Sequence, residues 1–263
     1  YIPSSSVWES STKFVITFSS YVPDGTITLK ANGFASAAGA PMASDVTYRF
    51  PTNGSALLAR WSFDDCTGAD STGSGRNAVL KGGPTCVAGR AGNALRFSGL
   101  DVLDNVLPQW LELPKHPGPA VSFATWFKWE PTTGYQSSGG NESIWAIGDT
   151  QSDTNSTGIW ISKSFLFAYG TNEPAAIAVP GTWMHVAFTS DGKVSKLYVN
   201  GEYVHKVVHA SPLNFTGQPQ FISSFERQGF PTTRQVFSGL IDDARLYGRV
   251  LSDDEVRSIY LGN

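Results

Sequence analysis

The chain has 263 residues, a formal net charge of −3, 16% charged residues and 13% aromatic residues. It contains no block of five or more Lys or Arg, so it lacks the electrostatic footprint of a nucleic-acid-binding protein. No apolar run approaches the roughly 18 residues of a membrane-spanning helix, so we expect no membrane insertion. The sequence starts at Tyr1 without a signal peptide, which predicts a mature or trimmed chain.

The first 52 residues predict a short β segment. Apolar and polar residues alternate at 13–18, 26–31 and 45–50, as they do in half-buried strands. The order resembles the C-terminal half of a bacterial-type (SbsA-like) Ig-like domain, including a Pro-Met loop at 38–42. About 50 residues are too few for a whole sandwich of this kind. The resemblance therefore implies a partial Ig-like segment, 1–52, with an open sheet edge that could pair with another chain.

Residues 56–263 predict a second, larger β domain that follows a short linker. A hairpin is predicted at Asn200-Gly201, since Asn and Gly tolerate the positive φ angles of a type I′ turn. Ser252 and Glu255 form a capping box, which predicts one short C-terminal helix. Evenly spaced strands with almost no helix indicate a sandwich or jelly roll. The predicted strands are 57–63, 94–97, 121–129, 158–163, 183–188, 197–204 and 237–247.

Seven landmarks in this second part resemble, in order, the laminin-G-like domain of the concanavalin A-like lectin/glucanase superfamily. Residues 59–65 resemble the family's Trp-x-Phe-Asp-Glu, and residues 89–99 resemble its Gly-x-x-Gly-x-Ala-Leu-x-Phe-Asp-Gly. The others lie at 68–75, 121–126, 183–187, 197–201 and 239–247. The resemblance implies an all-β, two-sheet antiparallel jelly-roll sandwich. It leaves function open, because the fold carries lectins, adhesion modules, accessory domains and enzymes.

The Ile-Asp-Asp strand places an acidic residue on each of its faces. Asp242 and Asp243 are adjacent and therefore point to opposite sides of a regular strand. Ala244 and Leu246 would share the side of Asp242, which predicts that Asp242 lies in the core. A buried carboxylate needs a cation or several hydrogen-bond donors.

The family resemblance implies a structural calcium ion at this place. The candidate ligands are Asp64, Asp70 and Asp242, with loop carbonyls completing the about six to eight oxygens that Ca²⁺ prefers. The alternative is that Asp242 only accepts backbone N–H bonds or pairs with Arg60 or Arg76.

Cysteines and glycosylation motifs indicate a secreted protein. Cys66 and Cys86 flank a Gly-rich loop, and a disulfide between them would stabilise the fold by about 3 kcal/mol. The alternative is two buried thiols in a cytosolic protein. Four N-x-[ST] motifs weakly favour a eukaryotic secretory route, although unmodified loop asparagines remain an alternative. These motifs are at Asn53, Asn141, Asn155 and Asn214.

The sequence predicts a protein without catalytic activity. Glycosidases need two carboxylates placed together, and the predicted central strands are nearly free of acidic residues. No nucleophile-elbow, P-loop or dinucleotide-binding motif occurs. The four histidines have no zinc-binding spacing, and His185 is expected to be structural.

Residues 131–158 are predicted to form the longest loop, where binding tends to reside on a rigid sandwich. Trp145 and Tyr169 are the candidate residues for stacking on a sugar, whereas Trp160 is expected in the core. We therefore expect an extracellular or cell-surface module that binds a glycan or a protein partner. One alternative is a structural subunit of a filament, matrix or surface layer that assembles with other copies or neighbouring domains through 1–52. Another is an accessory domain of a carbohydrate-active enzyme.

Overall fold

The structure, a computed structural model, describes residues 57–100, 107–131, 141–148, 155–168, 173–225 and 235–262, and the backbone of four strands before residue 57. The chain divides into two compact units, Tyr1–Ala56 and Leu57–Asn263. In the first unit, β1 (Ser5–Ser10) pairs antiparallel with β2 (Lys13–Thr17), and β3 (Thr26–Leu29) pairs with β4 (Val46–Arg49). The sequence pattern predicted β2 to β4 but missed β1. The Ig-like assignment and the domain bounds drawn from the sequence stay predictions.

In the second unit, the described residues form strands and one helix. In chain order they are β5 Leu57–Trp61, β6 Val79–Lys81, β7 Thr85–Ala88, β8 Asn93–Ser98, β9 Trp110–Leu113, β10 Val121–Trp129, β11 Asn141–Gly148, β12 Ser156–Ser162, β13 Phe165–Ala168, β14 Ala176–Ile177, β15 Trp183–Ser190, β16 Val194–Val199, β17 Glu202–Val208, β18 Gln220–Ile222, β19 Ser238–Tyr247 and α1 Asp253–Leu261.

These strands form two antiparallel sheets. The larger sheet has the order β17-β16-β15-β10-β19-β8-β7, and β5 also pairs with β19. The smaller sheet has the order β14-β13-β12-β11-β18-β9-β6. Two antiparallel sheets with one short C-terminal helix confirm the jelly-roll fold class.

The core lies between the two sheets and is rich in aromatic rings. Phe123 of β10 stacks on Trp145 of β11, with ring centroids 4.8 Å apart and planes within 4°. Phe188 of β15 packs against the same indole at 5.6 Å. All three side chains have no solvent exposure, and burying such rings supplies much of the free energy that stabilises the fold.

The predicted long loop at 131–158 is wrong in two places. Residues 141–148 form β11, and β12 begins at Ser156. The apolar run from Ile144 to Ile147 is buried, with at most 3% of any of its residues exposed. The sequence pattern missed this strand because the Gly, Ser and Asn residues on both sides of it are typical of loops.

The hairpin turn and the helix start that the sequence predicted are both present in the second unit. Asn200 and Gly201 have φ angles of 51° and 81°, as the predicted tight hairpin requires. Ser252 caps α1 and exchanges hydrogen bonds with Glu255, which confirms the capping box. The helix packs on the outer face of the larger sheet, where the ring of Tyr260 lies 5.5 Å from that of Trp126. Nowhere in the described ranges is there a helix of the length and apolarity needed to cross a membrane.

A β-bulge in β19 changes which side chains face the core. Asp243 has a φ of 47°, and the pairing register with β10 shifts at this point. As a result Asp242 lies opposite Trp126, on the outer face, whereas Ala244 is fully buried opposite Trp61. The prediction that Asp242 shares the core side of Ala244 is therefore wrong, because the extra residue breaks the regular alternation.

Candidate functional site

An apolar patch lies on the outer side of the smaller sheet. It consists of Trp160, Phe165, Phe167 and Ile177 and is called here the aromatic face. Trp160 pairs with Phe167, and Phe165 pairs with Ile177, so the four side chains leave the sheet on one side. The exposed fraction is 39% for Phe165 and 60% for Ile177.

The rings of Trp160 and Phe167 stack in this patch. Their centroids are 6.0 Å apart and their planes differ by 19°. Both side chains are half-buried, whereas Ile159 and Ile161, the strand neighbours of Trp160, are buried in the core. The expectation that Trp160 fills the core is therefore wrong. An apolar strand of the pattern Ile-Trp-Ile does not say which side faces inward.

A shallow depression of about 10 Å³ adjoins the aromatic face. Small residues form its floor. At Gly158 no side chain would fit, because a Cβ there would lie 2.3 Å from the carbonyl oxygen of Trp145. Ala146 lies opposite Gly158 on β11. The described residues that line the depression are uncharged: they are Ser143, Trp145, Ala146, Thr157, Gly158, Trp160, Phe225 and Gln235.

The two aromatic residues predicted to bind sugar have different outcomes. Trp145 is fully buried in the core stack, so its side chain is not available as an exposed sugar platform, and that prediction is wrong. Tyr169 lies outside the described residues and stays a prediction. Trp160, by contrast, is partly exposed on the outer side of the smaller sheet.

A second, polar pocket of about 60 Å³ lies beside the bulge in β19. The Arg90 guanidinium stacks on the indole of Trp126, 3.6 Å from the ring centroid. Arg60 donates to Asp243, with 2.6 Å between Nε and Oδ1. The residues that line the pocket are Arg60, Ser62, Asp64, Arg90, Ala91, Trp126, Asp242 and Asp243.

Asp242 is the buried carboxylate of this pocket, with 2% of its surface exposed. Its Oδ2 accepts hydrogen bonds from the backbone N–H groups of Arg90, at 2.8 Å, and Ala91, at 3.2 Å. Burial raises the pKa of this carboxyl to about 6, against the lowering effect of the two N–H groups. The backbone bonds correspond to the alternative that the sequence left open for Asp242.

The other two predicted calcium ligands lie in different surroundings. Asp64 lines the same pocket, and its Oδ1 accepts from the backbone N–H of Asn93 at 3.1 Å. Asp70 does not line the pocket; its carboxylate accepts from three backbone N–H groups and two hydroxyls. Burial opposes ionisation of Asp70, but these donors outweigh it and hold the pKa well below its usual range.

A calcium ion with all three predicted carboxylates does not fit this arrangement, because the donors around Asp70 occupy both of its oxygens. Across the ranges that the structure describes, no group of three His, Cys, Asp or Glu side chains gathers around one point. Calcium at Asp64 and Asp242 stays a prediction.

The disulfide between Cys66 and Cys86 is confirmed, with the two Cα atoms 5.3 Å apart. It fastens the loop after β5 to β7 close to the polar pocket. The side-chain amide of Asn93 donates to the Asp64 carbonyl at 2.8 Å and lies 3.7 Å from the Cys66 sulfur. The bridge therefore helps to hold Asp64 at the pocket rim.

The glycosylation motifs are spread over the chain. Asn53 lies outside the described residues. Asn141 begins β11, Asn155 directly precedes β12, and Asn214 is exposed in the segment before β18. Whether any of them carries a glycan stays a prediction.

The fold and the sequence place the chain in a known family. A laminin-G-type family model, described as "Concanavalin A-like lectin/glucanases superfamily", matches residues 109–257. The chain therefore belongs to the concanavalin A-like lectin/glucanase superfamily. No curated protein sequence matches the chain.

Several solved structures share the fold. Domain 4 of AbnA, a GH43 extracellular arabinanase from Geobacillus stearothermophilus solved with arabinotriose, has a TM-score of 0.58 and 20% identity over 78% of this chain and 98% of that domain. The binding domain of Paraclostridial Mosquitocidal Protein 1 has a TM-score of 0.56 and 12% identity over 78% of this chain. The binding domain of Botulinum Neurotoxin DC, in complex with SialylT, has a TM-score of 0.52 and 14% identity over 79%. The chain spans 51% and 52% of the two toxin binding domains.

Proposed function

We propose that this protein is a non-catalytic, extracellular module that binds carbohydrate through the aromatic face. The observation that carries the proposal is the half-exposed stack of Trp160 and Phe167 on the outer side of the smaller sheet. Flat aromatic rings bind the apolar C–H face of a sugar, while nearby polar side chains fix its orientation. Asn141 and Ser162 are such polar side chains, because the pairing register places them in one row with Phe165 and Ile177 on the outer side of the sheet.

The similar structures support a binding role for this fold. One of them was solved with arabinotriose and another with SialylT. At 20% and 14% identity they share the fold with this chain, and the ligand and its position here remain part of the proposal.

The absence of acidic side chains from the described lining of the depression supports a binding function over glycoside hydrolysis, which requires two carboxylates at the scissile bond. The half-buried Glu142 is engaged elsewhere, where the indole N–H of Trp129 and the backbone N–H of Ser238 donate to it. Burial raises the pKa of Glu142, against the effect of these donors. The disulfide supports an oxidising, extracellular location.

The test is binding of the full chain to a panel of neutral and acidic polysaccharides by affinity electrophoresis and titration calorimetry. The panel contains arabinan, xylan, β-glucan, polygalacturonate and sialyllactose. The variant Trp160→Ala is expected to weaken binding about tenfold or more, as removal of a central aromatic contact does. The matched control is Tyr203→Ala, which removes a ring that is 47% exposed on the other sheet. Binding to no member of the panel, or equal loss in both variants, contradicts the proposal.

The roles in a filament, matrix or surface layer, in protein-mediated adhesion and as an enzyme's accessory domain remain alternative predictions.

A further inference from the structure

We infer that Asn214 is a modification site that carries an N-linked glycan when the chain is secreted, whereas Asn155 stays unmodified. The inference takes from the proposed function only the extracellular location and is independent of the carbohydrate ligand. It depends on the exposure of the glycosylation motifs and on the hydrogen bonds that join these two asparagines.

The motif at Asn214 lies at the surface. Asn214 and Thr216 are both exposed, in the segment between β17 and β18. An N-x-[ST] acceptor is recognised through the asparagine and the hydroxyl two residues later, and is therefore expected in a surface loop. The Oδ1 of Asn214 accepts from the backbone N–H of Thr216 at 3.1 Å. This bond uses the oxygen of the side-chain amide, whereas modification takes place at the nitrogen.

The hydroxyl-bearing residues of the other two described motifs are buried. Thr157, of the motif at Asn155, is 1% exposed, and Ser143, of the motif at Asn141, is 2% exposed. Both lie within strands of the smaller sheet. Among the three motifs that the structure describes, the one at Asn214 is therefore accessible after folding as well as before it.

Asn155 is held by a contact that a glycan would break. Its side-chain amide donates to the backbone carbonyl of Asn214 at 3.0 Å and accepts from the backbone N–H of the same residue at 2.7 Å. A primary amide has two N–H donors, one of them on the same edge as its oxygen. A side chain that donates to and accepts from one residue uses this edge, and therefore the hydrogen cis to its own oxygen.

Glycosylation would put the sugar on that edge. It converts the primary amide of Asn155 into a secondary amide, which strongly prefers the trans arrangement and so places the sugar carbon cis to the oxygen. The sugar would then replace the hydrogen that bonds to the Asn214 carbonyl. A glycan added before folding would prevent the contact from forming, so a folded chain that has the contact is unmodified at Asn155.

The modification at Asn214 is a transfer to nitrogen. Its Nδ2 attacks C1 of the first sugar of a lipid-pyrophosphate-linked oligosaccharide. The N–C1 bond forms, the bond from C1 to the pyrophosphate oxygen breaks, and Nδ2 loses one proton, so that the lipid pyrophosphate leaves. The bond from the Thr216 N–H to Oδ1 and the two backbone bonds to Asn155 can all be retained.

The position of Asn214 fits the proposed binding surface. Asn155, to which it is bonded, directly precedes β12, and Trp160 lies about 13 Å along the strand from Ser156. A glycan on Asn141 would instead start in a row of the aromatic face, because Asn141 pairs with Ser162 beside that face.

The test expresses the full chain with a secretion signal in cultured animal cells. Peptide-N-glycosidase in water enriched in heavy oxygen converts each glycosylated asparagine to labelled aspartate, and peptide mapping by mass spectrometry reads each motif separately. Label is expected at Asn214 and not at Asn155. Thr216→Val should abolish the label at Asn214 while retaining the asparagine.

The matched control is Thr157→Val, which removes the hydroxyl from the motif at Asn155. The Oγ1 of Thr157 is buried without a hydrogen-bond partner in the described part of the chain, so this isosteric change should preserve the fold and leave the label at Asn214 unchanged. Label at Asn155, or secreted protein without label at Asn214, would overturn the inference.

A second variant keeps the test decisive if Thr216→Val is not secreted. Asn214→Gln removes the acceptor itself, and a released-glycan mass equal to that of the wild type would overturn the inference. Carbohydrate binding through Trp160 is measured separately, so a failure of the proposed ligand and a failure of this modification site are distinguishable.

Discussion

Asn155 and Asn214 are joined by two hydrogen bonds, in which the side-chain amide of Asn155 donates to the Asn214 carbonyl at 3.0 Å and its oxygen accepts from the Asn214 backbone N–H at 2.7 Å. One side chain thus satisfies both backbone groups of a residue 59 positions away. The contact ties the start of β12 to the segment before β18.

This contact predicts unequal effects of two similar substitutions. Asn155→Ala should lower the free energy of unfolding by about 1–2 kcal/mol, because both hydrogen bonds are lost. Asn214→Ala is the matched control. It retains its backbone groups and loses only the bond from the Thr216 N–H to its side chain, so its effect should be smaller. Urea unfolding measures the difference, and equal effects would contradict this role of Asn155.

The Gly-x-x-Gly segment predicts a steric effect at Gly92. A Cβ there would lie 1.9 Å from the Asp64 Oδ1, and the φ of Gly92 is 67°. Gly75 has a φ of 77° with no atom within 4 Å of its virtual Cβ. Gly75→Ala should therefore show only the backbone strain of about 1–2 kcal/mol, and Gly92→Ala should lower the unfolding free energy further. If the two variants unfold alike, Gly92 is needed for its backbone angle alone.

The pKa of Asp242 predicts how stability depends on pH. Because this pKa is raised from 3.8 to about 6, the folded protein binds the proton more tightly than the unfolded chain does. The resulting stabilisation is complete below the unfolded value and is lost as the pH rises through 6. Asp242→Asn should remove this decline between pH 4 and 6.

Thermal melting of both proteins across this range, with EDTA present, measures the Asp242 effect. The same slope in both proteins would refute it. Adding Ca²⁺ tests the predicted ion separately: an ion bound to the carboxylate should raise the melting temperature above pH 6 in the wild type and have no such effect in Asp242→Asn.

The disulfide predicts a loss of stability on reduction. The bridge joins residues 20 positions apart, and its removal should lower the unfolding free energy by about 3 kcal/mol. The double variant Cys66→Ala/Cys86→Ala should melt at the temperature of the reduced wild type. A double variant as stable as the oxidised protein would show that the bridge adds nothing to the fold.

The core stack predicts effects of different size for two tryptophans. Trp145→Ala should lower the unfolding free energy by about 3–5 kcal/mol, since it leaves a cavity beside Phe123 and Phe188. Trp160→Ala should lower it less, because Trp160 lies on the outer face. Chemical unfolding of both variants tests this order, and the reverse order would contradict the assignment of faces.

Sequence reasoning identified the sandwich, its hairpin and its capped helix because each has a local signal. Asn200-Gly201 sets backbone angles, and the pair Ser252 and Glu255 satisfies the first turn of a helix. The Gly-rich loop between Cys66 and Cys86 also indicated the disulfide, and the family resemblance indicated that Asp242 lies near Asp64. These features depend on residues that are close in sequence or on a recognised order.

The face assignments failed where they depended on contacts distant in sequence. The sequence pattern placed Trp145 in a loop and Trp160 in an apolar strand, and packing against the larger sheet decides that the ring of Trp145 faces the core. A register shift between Ser143 and Trp145 further breaks the alternation of β11. A sequence pattern with period two cannot identify such a shift.

The extra residue at Asp243 divides β19 into two halves that are out of phase. Before the bulge the side chain of Ile241 faces the core, and after it the side chains of Ala244 and Leu246 do, so the inward positions change from odd to even numbers. Removing Asp243 would bring the halves into one phase without moving any residue to the other face, because Ile241, Asp242 and Ala244 would then alternate inward, outward and inward. A deletion of one residue at the bulge therefore keeps the same side chains in the core, whereas a deletion elsewhere in β19 would turn outward-facing residues inward, so alignments of related strands should place a single-residue gap at Asp243.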